Sequence, residues 1–425
     1  MTIHRRFLPH LLILIALNLP AAAALALDGV VLDATSKQPL AGALVTVDGK
    51  VVVTDKNGRY SFPGFVGTVA ARAIGYGRSE LKVAANTAEA PPLRLTPIRP
   101  KALYLSIFGI GDHQLREAAL DILDGTEINA LVIDVKGDRG WIPYPSKVST
   151  ADSIGARRTT TVRDMPAMLA TLKERGIYLI ARIVVFKDDP LATAHPEWAV
   201  KTAQGSLFRD REGLAWIDAS HTAAWTYALD IAAEAAGLGF DEIQFDYIRF
   251  PDSADARFSA ADTEQKRVEA ITGFLAAAKK RLAPYNVFVA ADIFGYVAWN
   301  TNDTAIGQQL ESLLEEADYL SPMLYPSGFH LGIPGYTNAV KHPYEIVNLT
   351  LQHAVSRSGV SPLRFRPWLQ AFRDYAFDHK DFTGVEIKQQ IDAAEKIGSD
   401  GWMLWNPRNN YSKEGLKKND EPGKQ

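Results

Sequence analysis

Two aspartates end apolar runs in this sequence, and their placement suits acid–base chemistry. Asp246 closes Glu242-Ile-Gln244-Phe-Asp246, and Asp292 closes Val289-Ala-Ala-Asp292. If each run is a β-strand, alternate residues face opposite ways, so Gln244 and Asp246 share the face opposite Ile243 and Phe245. The apolar pair belongs against covering helices, which turns Gln244 and Asp246 inward. A buried ionised carboxylate is costly without partners. Asp246 therefore either does chemistry or pairs with an arginine such as Arg182 or Arg249. Asp292 is placed likewise, with the small Ala290 on its own face leaving room. Two such carboxylates are the minimum equipment for cleaving a glycosidic bond. One protonates the leaving oxygen, and the other attacks the anomeric carbon or activates water there. The roles need different environments, one desolvated and one beside a cation. Asp292 beside Phe294 and Tyr296 suits the acid, and Asp246 beside an arginine suits the nucleophile or base.

Other polar groups fall at the ends of similar runs. Asp134, Lys136 and Asp138 close Val132-Ile-Asp-Val-Lys-Gly-Asp138, and Arg182 and Lys187 lie in Ala181-Arg-Ile-Val-Val-Phe-Lys187. Asp134 is the reserve candidate for the acid, although a carboxylate there could equally orient Lys136 or Arg182. Asp134, Lys136, Arg182, Gln244, Arg249, Tyr325, Gln370, Trp405 and Asn406 form the expected sugar-binding set. Of the aromatic residues Trp299, Tyr325, Tyr336, Trp368 and Trp405, about half are expected to line a cleft by stacking on sugar C–H faces. The competing chemistries have weaker support. The histidines are scattered, with no H-x-H or H-E-x-x-H spacing, so a metal site built on Asp134, Asp246 and Asp292 is the lesser reading. No G-x-S-x-G elbow supports a serine hydrolase. A Schiff-base aldolase would need a lysine projecting from an interior strand position; Lys136 and Lys187 are the candidates, but they lie beyond the strand cores, so this reading is weaker again. The remaining alternative is a barrel that binds glycans without cleaving them.

The elements that must hold these residues alternate strand with helix from Lys101 onward. Strands are expected at Leu103–Ile107, Ala130–Val135, Ile177–Val185, Glu242–Asp246, Val287–Asp292, Tyr319–Tyr325, Arg366–Ala371 and Gly401–Trp405. Helices are expected at Gln114–Leu123, Met165–Arg175, Ala223–Ala236, Thr263–Leu282 and Val385–Ile397. Such repetition implies parallel strands joined by crossovers, and eight units fit a (β/α)8 barrel over residues 101–412. In that fold the strand ends carrying Asp134, Asp246 and Asp292 gather on the C-terminal face, where active sites are built. No G-x-G-x-x-G or G-x-x-x-x-G-K-[ST] supports a nucleotide site.

The strings LVIDVKGDRG, IARIVVFKDDPLA and GFDEIQFDYIRFP resemble a bacterial glycoside hydrolase family of barrel proteins, over about Leu103 to Tyr411. The family is related in fold to alpha-amylase-like barrels. That resemblance implies a nucleophile at the end of the fourth strand, which is Asp246, and a glutamate acid after the fifth, where this chain has Asp292. The third carboxylate of those barrels follows the seventh strand, where this chain has Gln370. It implies a carbohydrate substrate, and two-carboxylate chemistry on such a substrate requires no cofactor.

Before the barrel, residues 27–96 read as a small all-β sandwich. Gly29–Leu32, Ala43–Val47, Val51–Thr54 and Arg59–Phe62 are β-rich, with turn chemistry at Asp48-Gly49 and Asp55-Lys-Asn-Gly58. PLAGALVTVDGKVVVTDKNGRYSFPGF resembles the carboxypeptidase regulatory-like, transthyretin-like module, which implies a spacer or weak binding surface. Ala90-Pro-Pro92 through Pro97 and Pro100 reads as a stiff linker. Arg5 and Arg6, the apolar run Phe7–Leu19 and Ala24-Leu-Ala26 read as a secretory signal peptide, residues 1–26. An exported protein, periplasmic or secreted, is expected, acting as a monomer. The chain has 425 residues and a net charge of -3, from 46 Lys+Arg against 49 Asp+Glu, which gives no basic footprint for nucleic acid. It has no cysteine, so disulfides and thiolate chemistry are excluded. Residues 413–425 read as a charged, frayed tail.

Overall fold

The computed structural model describes residues 26–63, 67–84 and 87–419, so the signal-peptide expectation lies outside the described residues apart from Ala26. Seven short strands come first. They are β1 (Ala26–Asp33), β2 (Leu44–Val47), β3 (Lys50–Val53), β4 (Arg59–Pro63), β5 (Gly67–Arg72), β6 (Ser79–Val83) and β7 (Leu93–Leu95). They form two sheets, in the orders β4-β1-β7 and β3-β2-β5-β6. Asp48 and Gly49 both take positive φ, 49° and 73°, which is the turn that lets β2 pair antiparallel with β3. Asp55 accepts the amides of Asn57 and Arg59, so that turn instead carries the chain from one sheet to the other. The expected linker is partly strand. Leu93 and Leu95 are buried on either side of exposed Arg94, and β7 pairs parallel with β1.

Eight parallel strands close a barrel in the order β8 (Lys101–Leu105), β9 (Ala130–Lys136), β10 (Tyr178–Val184), β11 (Glu242–Asp246), β12 (Phe288–Phe294), β13 (Tyr319–Met323), β14 (Trp368–Gln370) and β15 (Trp402–Trp405). The expected (β/α)8 architecture is what the chain adopts. Outward residues such as Leu131, Ile133, Ile243, Phe245 and Val289 pack against helices in one large core. Each such fully buried aliphatic or aromatic side chain contributes about 1.5–3 kcal/mol. Inward, Ala102, Val132, Ile180, Ala290, Trp368 and Met403 fill the lumen. At its N-terminal end Arg366 is locked between Glu242 (2.6 Å) and Asp400 (2.7 Å), all three buried. Among the described residues, no helix is long and apolar enough to cross a membrane.

The β module seats on the barrel's N-terminal end, opposite the candidate site. Arg78 Nε donates to Asp241 (2.9 Å) and Arg72 to Asn286 (3.2 Å), both residues just ahead of strands. The Gly75 amide donates to the Tyr319 hydroxyl, while Ile74 and Ile98 pack against the lumen cluster. The segment past Tyr411 is pinned rather than frayed as far as residue 419. The Glu127 amide donates to the Lys417 carbonyl (2.9 Å), and Lys417 pairs with Glu395.

Candidate active site

Arg182, in the middle of β10, organises the C-terminal end of the lumen. Its neighbours Ala181 and Ile183 face the helices, so the guanidinium points inward, where it is 1% exposed. It reaches three carboxylates at once: Asp134 on β9 (2.7 Å), Asp138 in the following loop (2.8 Å) and Asp246 at the tip of β11 (2.6 Å). Its Nε also donates to the same Asp246 Oδ2 (2.9 Å). The other Asp246 oxygen accepts the backbone N–H of Tyr247 (2.6 Å). Both oxygens thus face fixed donors, which hold the Asp246 side chain in one orientation. Tyr247 itself takes φ 51°, a conformation that costs a non-glycine residue of order 1 kcal/mol. Asp134 is also bound by the hydroxyl of Tyr104 on β8 (2.7 Å). Burial pushes the Asp134 carboxyl up to about 6, Arg182 pulling it down and Asp138 adding to the rise.

Asp292 on β12 has the opposite surroundings. One oxygen accepts the indole N–H of Trp368 from β14 (2.7 Å). The other, Oδ2, is buried with no hydrogen-bond partner. Burial drives this carboxyl well above the ordinary range, and the charge of Asp246 adds to it, against weaker opposition from Arg182 and Trp368. An indole N–H can only donate, so a proton on Asp292 must sit on Oδ2, the one oxygen free to pass it on. The end of β12 is fixed by Gln308, which donates to the Asp292 carbonyl and accepts from the Phe294 amide.

The remaining predicted residues separate into three groups. Tyr325, Trp405 and Asn406 border a cavity of about 820 Å³ with Phe372 and Tyr375. Arg249 borders another of about 750 Å³, packed among the rings of Trp216, Tyr247 and Phe294. Asp246 and Asp292 line neither opening themselves; Tyr247, which borders one, follows Asp246 in the chain, and Tyr325, which borders the other, neighbours both carboxyls. Three expected sugar ligands are otherwise engaged. Lys136 is turned out of the lumen by a β-bulge: Arg182 pairs with Asp134 but Ile183 with Lys136, so β9 gains a residue and its side chain changes face. It is fully buried, pairing with Asp188 (2.7 Å) over the Tyr227 ring. Gln244 sits beneath Asp246, donating to Ser321 (3.0 Å) and contacting Met403. Gln370 is fully buried and bonds Ser327 and the Phe372 carbonyl. Asn406 shapes its loop by donating to the carbonyls of Ala371 and Asn410.

Of the five aromatic residues, Tyr325 and Trp405 line a cavity and Trp368 serves Asp292 from the lumen. Trp299 stacks on His353 and Tyr336 packs on His342, and neither borders either of these two cavities. Tyr104 was absent from the expected set, although its place two residues after Ala102 on the inward face marks it. Among the described residues, no group of three or more His, Cys, Asp or Glu side chains could hold a metal ion. The space between Asp134 and Asp246 is filled by the Arg182 guanidinium.

Two solved structures are similar to this chain. A hypothetical protein from Ruminiclostridium thermocellum ATCC 27405 is 38% identical, over 45% of this chain and 96% of its own, with a TM-score of 0.40. The PgaB (BpsB) glycoside hydrolase domain from Bordetella bronchiseptica is 16% identical over 74% of this chain and 95% of its own, with a TM-score of 0.56, a likeness of fold. No curated protein matches the chain. The family described as "Putative glycosyl hydrolase domain" matches residues 102–411, which take in the barrel with Asp134, Arg182, Asp246 and Asp292, and the chain belongs to that family.

Proposed function

We propose that the protein is an exported glycoside hydrolase that cleaves a polysaccharide or oligosaccharide with Asp246 and Asp292. The observation that carries this reading is the contrast between two carboxylates on adjacent strands. Both oxygens of Asp246 are held by donors, from Arg182 and a backbone N–H. Asp292 is buried, driven toward its protonated form, and has one oxygen free. Asp246 attacks the anomeric carbon, or takes a proton from the water that does, while Asp292 Oδ2 protonates the departing glycosidic oxygen. As that oxygen leaves, positive charge grows on the sugar ring and the neighbouring Asp246 stabilises it. Arg182 is a positioning residue that fixes the Asp246 carboxylate, with Asp134 and Tyr104 fixing Arg182. Tyr325, Trp405 and Arg249 contact sugar at the two openings. The chemistry requires no cofactor, and export rests on the basic-then-apolar pattern of residues 1–26.

The test is reducing-sugar release by mature protein from a panel of α- and β-linked bacterial and plant polysaccharides, with Asp246→Asn and a chelator control alongside. Release that the substitution abolishes and the chelator leaves alone is expected. Glycan binding with no turnover would replace the reading with a carbohydrate-binding barrel, and chelator-sensitive release would replace it with metal-dependent hydrolysis.

A further inference from the structure

The loop after β14 holds an aromatic ring in solvent by means that the chemistry at Asp246 and Asp292 does not require. Tyr375 is 61% exposed, yet the chain that carries it is closely fixed. Asp374, 2% exposed, accepts the Ser327 hydroxyl (2.6 Å) and the amides of Ala376 (3.0 Å), Phe377 (2.9 Å) and His379 (2.9 Å). Ser327 is held in turn by Gln370 (2.7 Å). Burial works against the Asp374 charge, but these donors hold its carboxyl down to about 2, so the arrangement persists across ordinary pH. The rings form a series. Tyr325 meets Phe372 edge-on with centroids 5.4 Å apart, and Phe372 lies parallel to Tyr375 at 6.1 Å, the planes 5° apart. All three border the cavity of about 820 Å³ that Trp405 and Arg408 also line. At its inner end, burial pushes the Tyr325 hydroxyl well above its ordinary range, and the neighbouring Asp292 and Asp246 carboxyls add to the rise.

A single exposed aromatic residue is ordinary on a protein surface. A fixed series of three, running from the carboxylates to solvent, is a surface for a ligand with flat apolar faces and a polar rim. A sugar ring has that character, its axial C–H groups lying on an aromatic face while its hydroxyls reach polar neighbours. Rigid presentation also reduces the ordering cost of binding.

We propose that Phe372 and Tyr375 form an outlying sugar subsite, so that the substrate is a chain reaching several residues beyond the bond cleaved rather than a mono- or disaccharide. This rests on the glycosidase reading for what happens at Asp246, but the subsite is tested separately by binding. The probes are the di- and hexasaccharides of chitin, de-N-acetylated chitin, cellulose and starch, titrated calorimetrically into Asp246→Asn and hydrolysed by the wild type. Tyr375→Ala, at an exposed position where folding is little affected, is expected to weaken hexasaccharide binding about tenfold. Its loss in kcat/KM should be about tenfold greater for the hexasaccharide than for the disaccharide, carried by KM, and Tyr375→Trp should restore it. Binding that Tyr375→Ala weakens, without hydrolysis by the wild type, supports the subsite and overturns the glycosidase reading. Hydrolysis with equal effects of Tyr375→Ala on short and long chains overturns the subsite alone. Failure of every hexasaccharide to bind overturns it as well.

Discussion

Replacing Arg182 by methionine removes the cation on which three carboxylates converge. Asp134 and Asp246 are 2% and 4% exposed, so neither can fall back on water. Removing one partner of a buried ion pair typically costs about 3–5 kcal/mol, because the remaining charge is stranded in low dielectric. Against a usual total of about 5–15 kcal/mol, that is a large fraction. The loss depends on pH with a definite sign. With Arg182 in place, burial already sets the Asp134 carboxyl at about 6, above its unfolded value. The folded protein therefore binds a proton that the unfolded chain has released in the window below about 6, and this group's contribution to stability falls as pH rises through it. Without Arg182 the carboxyl rises further, so acidification relieves more of the stranded charge. Urea unfolding of wild type and Arg182→Met, followed by tryptophan fluorescence, should show a deficit of about 3–5 kcal/mol at pH 7.5. The deficit should be smaller by about 1 kcal/mol or more at pH 5, each pKa unit being worth about 1.4 kcal/mol. A loss under about 1 kcal/mol at pH 7.5, or one equal at both pH values, would refute the claim that Arg182 carries the charge of this site.

Two further substitutions probe particular contacts. Trp368→Phe deletes the N–H that Asp292 accepts; the carboxyl then moves further up, and the alkaline limb of kcat/KM against pH shifts to higher pH. The stranded acceptor should also cost about 1–3 kcal/mol in a denaturant titration, and a limb that stays put would disconnect Asp292 from proton donation. Lys136→Met strands Asp188 and should lower stability by about 3 kcal/mol while KM for any cleaved glycan stays at the wild-type value. A raised KM with stability intact would place Lys136 in the cleft after all.

The fold was legible because its signals are local. Glu242–Asp246 occupies the span its apolar alternation marks, and Met165–Glu174 and Gly384–Ile397 fall within a residue of their expected ends. The first barrel strand is displaced by two residues because Ser106 caps a short helix, accepting the Gly109 amide, and Ile107 joins that helix. The site was legible only as far as alternation carries. It turns Gln244, Asp246 and Asp292 inward, but continued from Asp134 it would point Lys136 inward as well, because a bulge at one position of β9 leaves no mark in residue types. Nor can a sequence show which donors meet across the lumen. Trp368 looked like a sugar platform and is instead the partner of Asp292, 76 residues away in the chain. Gln370 looked like a ligand, yet its amide is consumed by Ser327, whose own partner Asp374 shapes the loop. The prolines on either side of β7 give that stretch the composition of a linker and outweigh the alternating Leu93 and Leu95.

The division of labour between the two aspartates is tested most directly by leaving-group dependence. Asp292→Asn and Asp246→Asn would be compared on a cleaved oligosaccharide and on the aryl glycoside of the same sugar, whose phenolate departs without protonation. Asp292→Asn should lose roughly 10²–10⁴-fold on the oligosaccharide and far less on the aryl glycoside, while Asp246→Asn should be inactive on both. Equal losses of Asp292→Asn on the two substrates, or turnover by folded Asp246→Asn, would contradict the account.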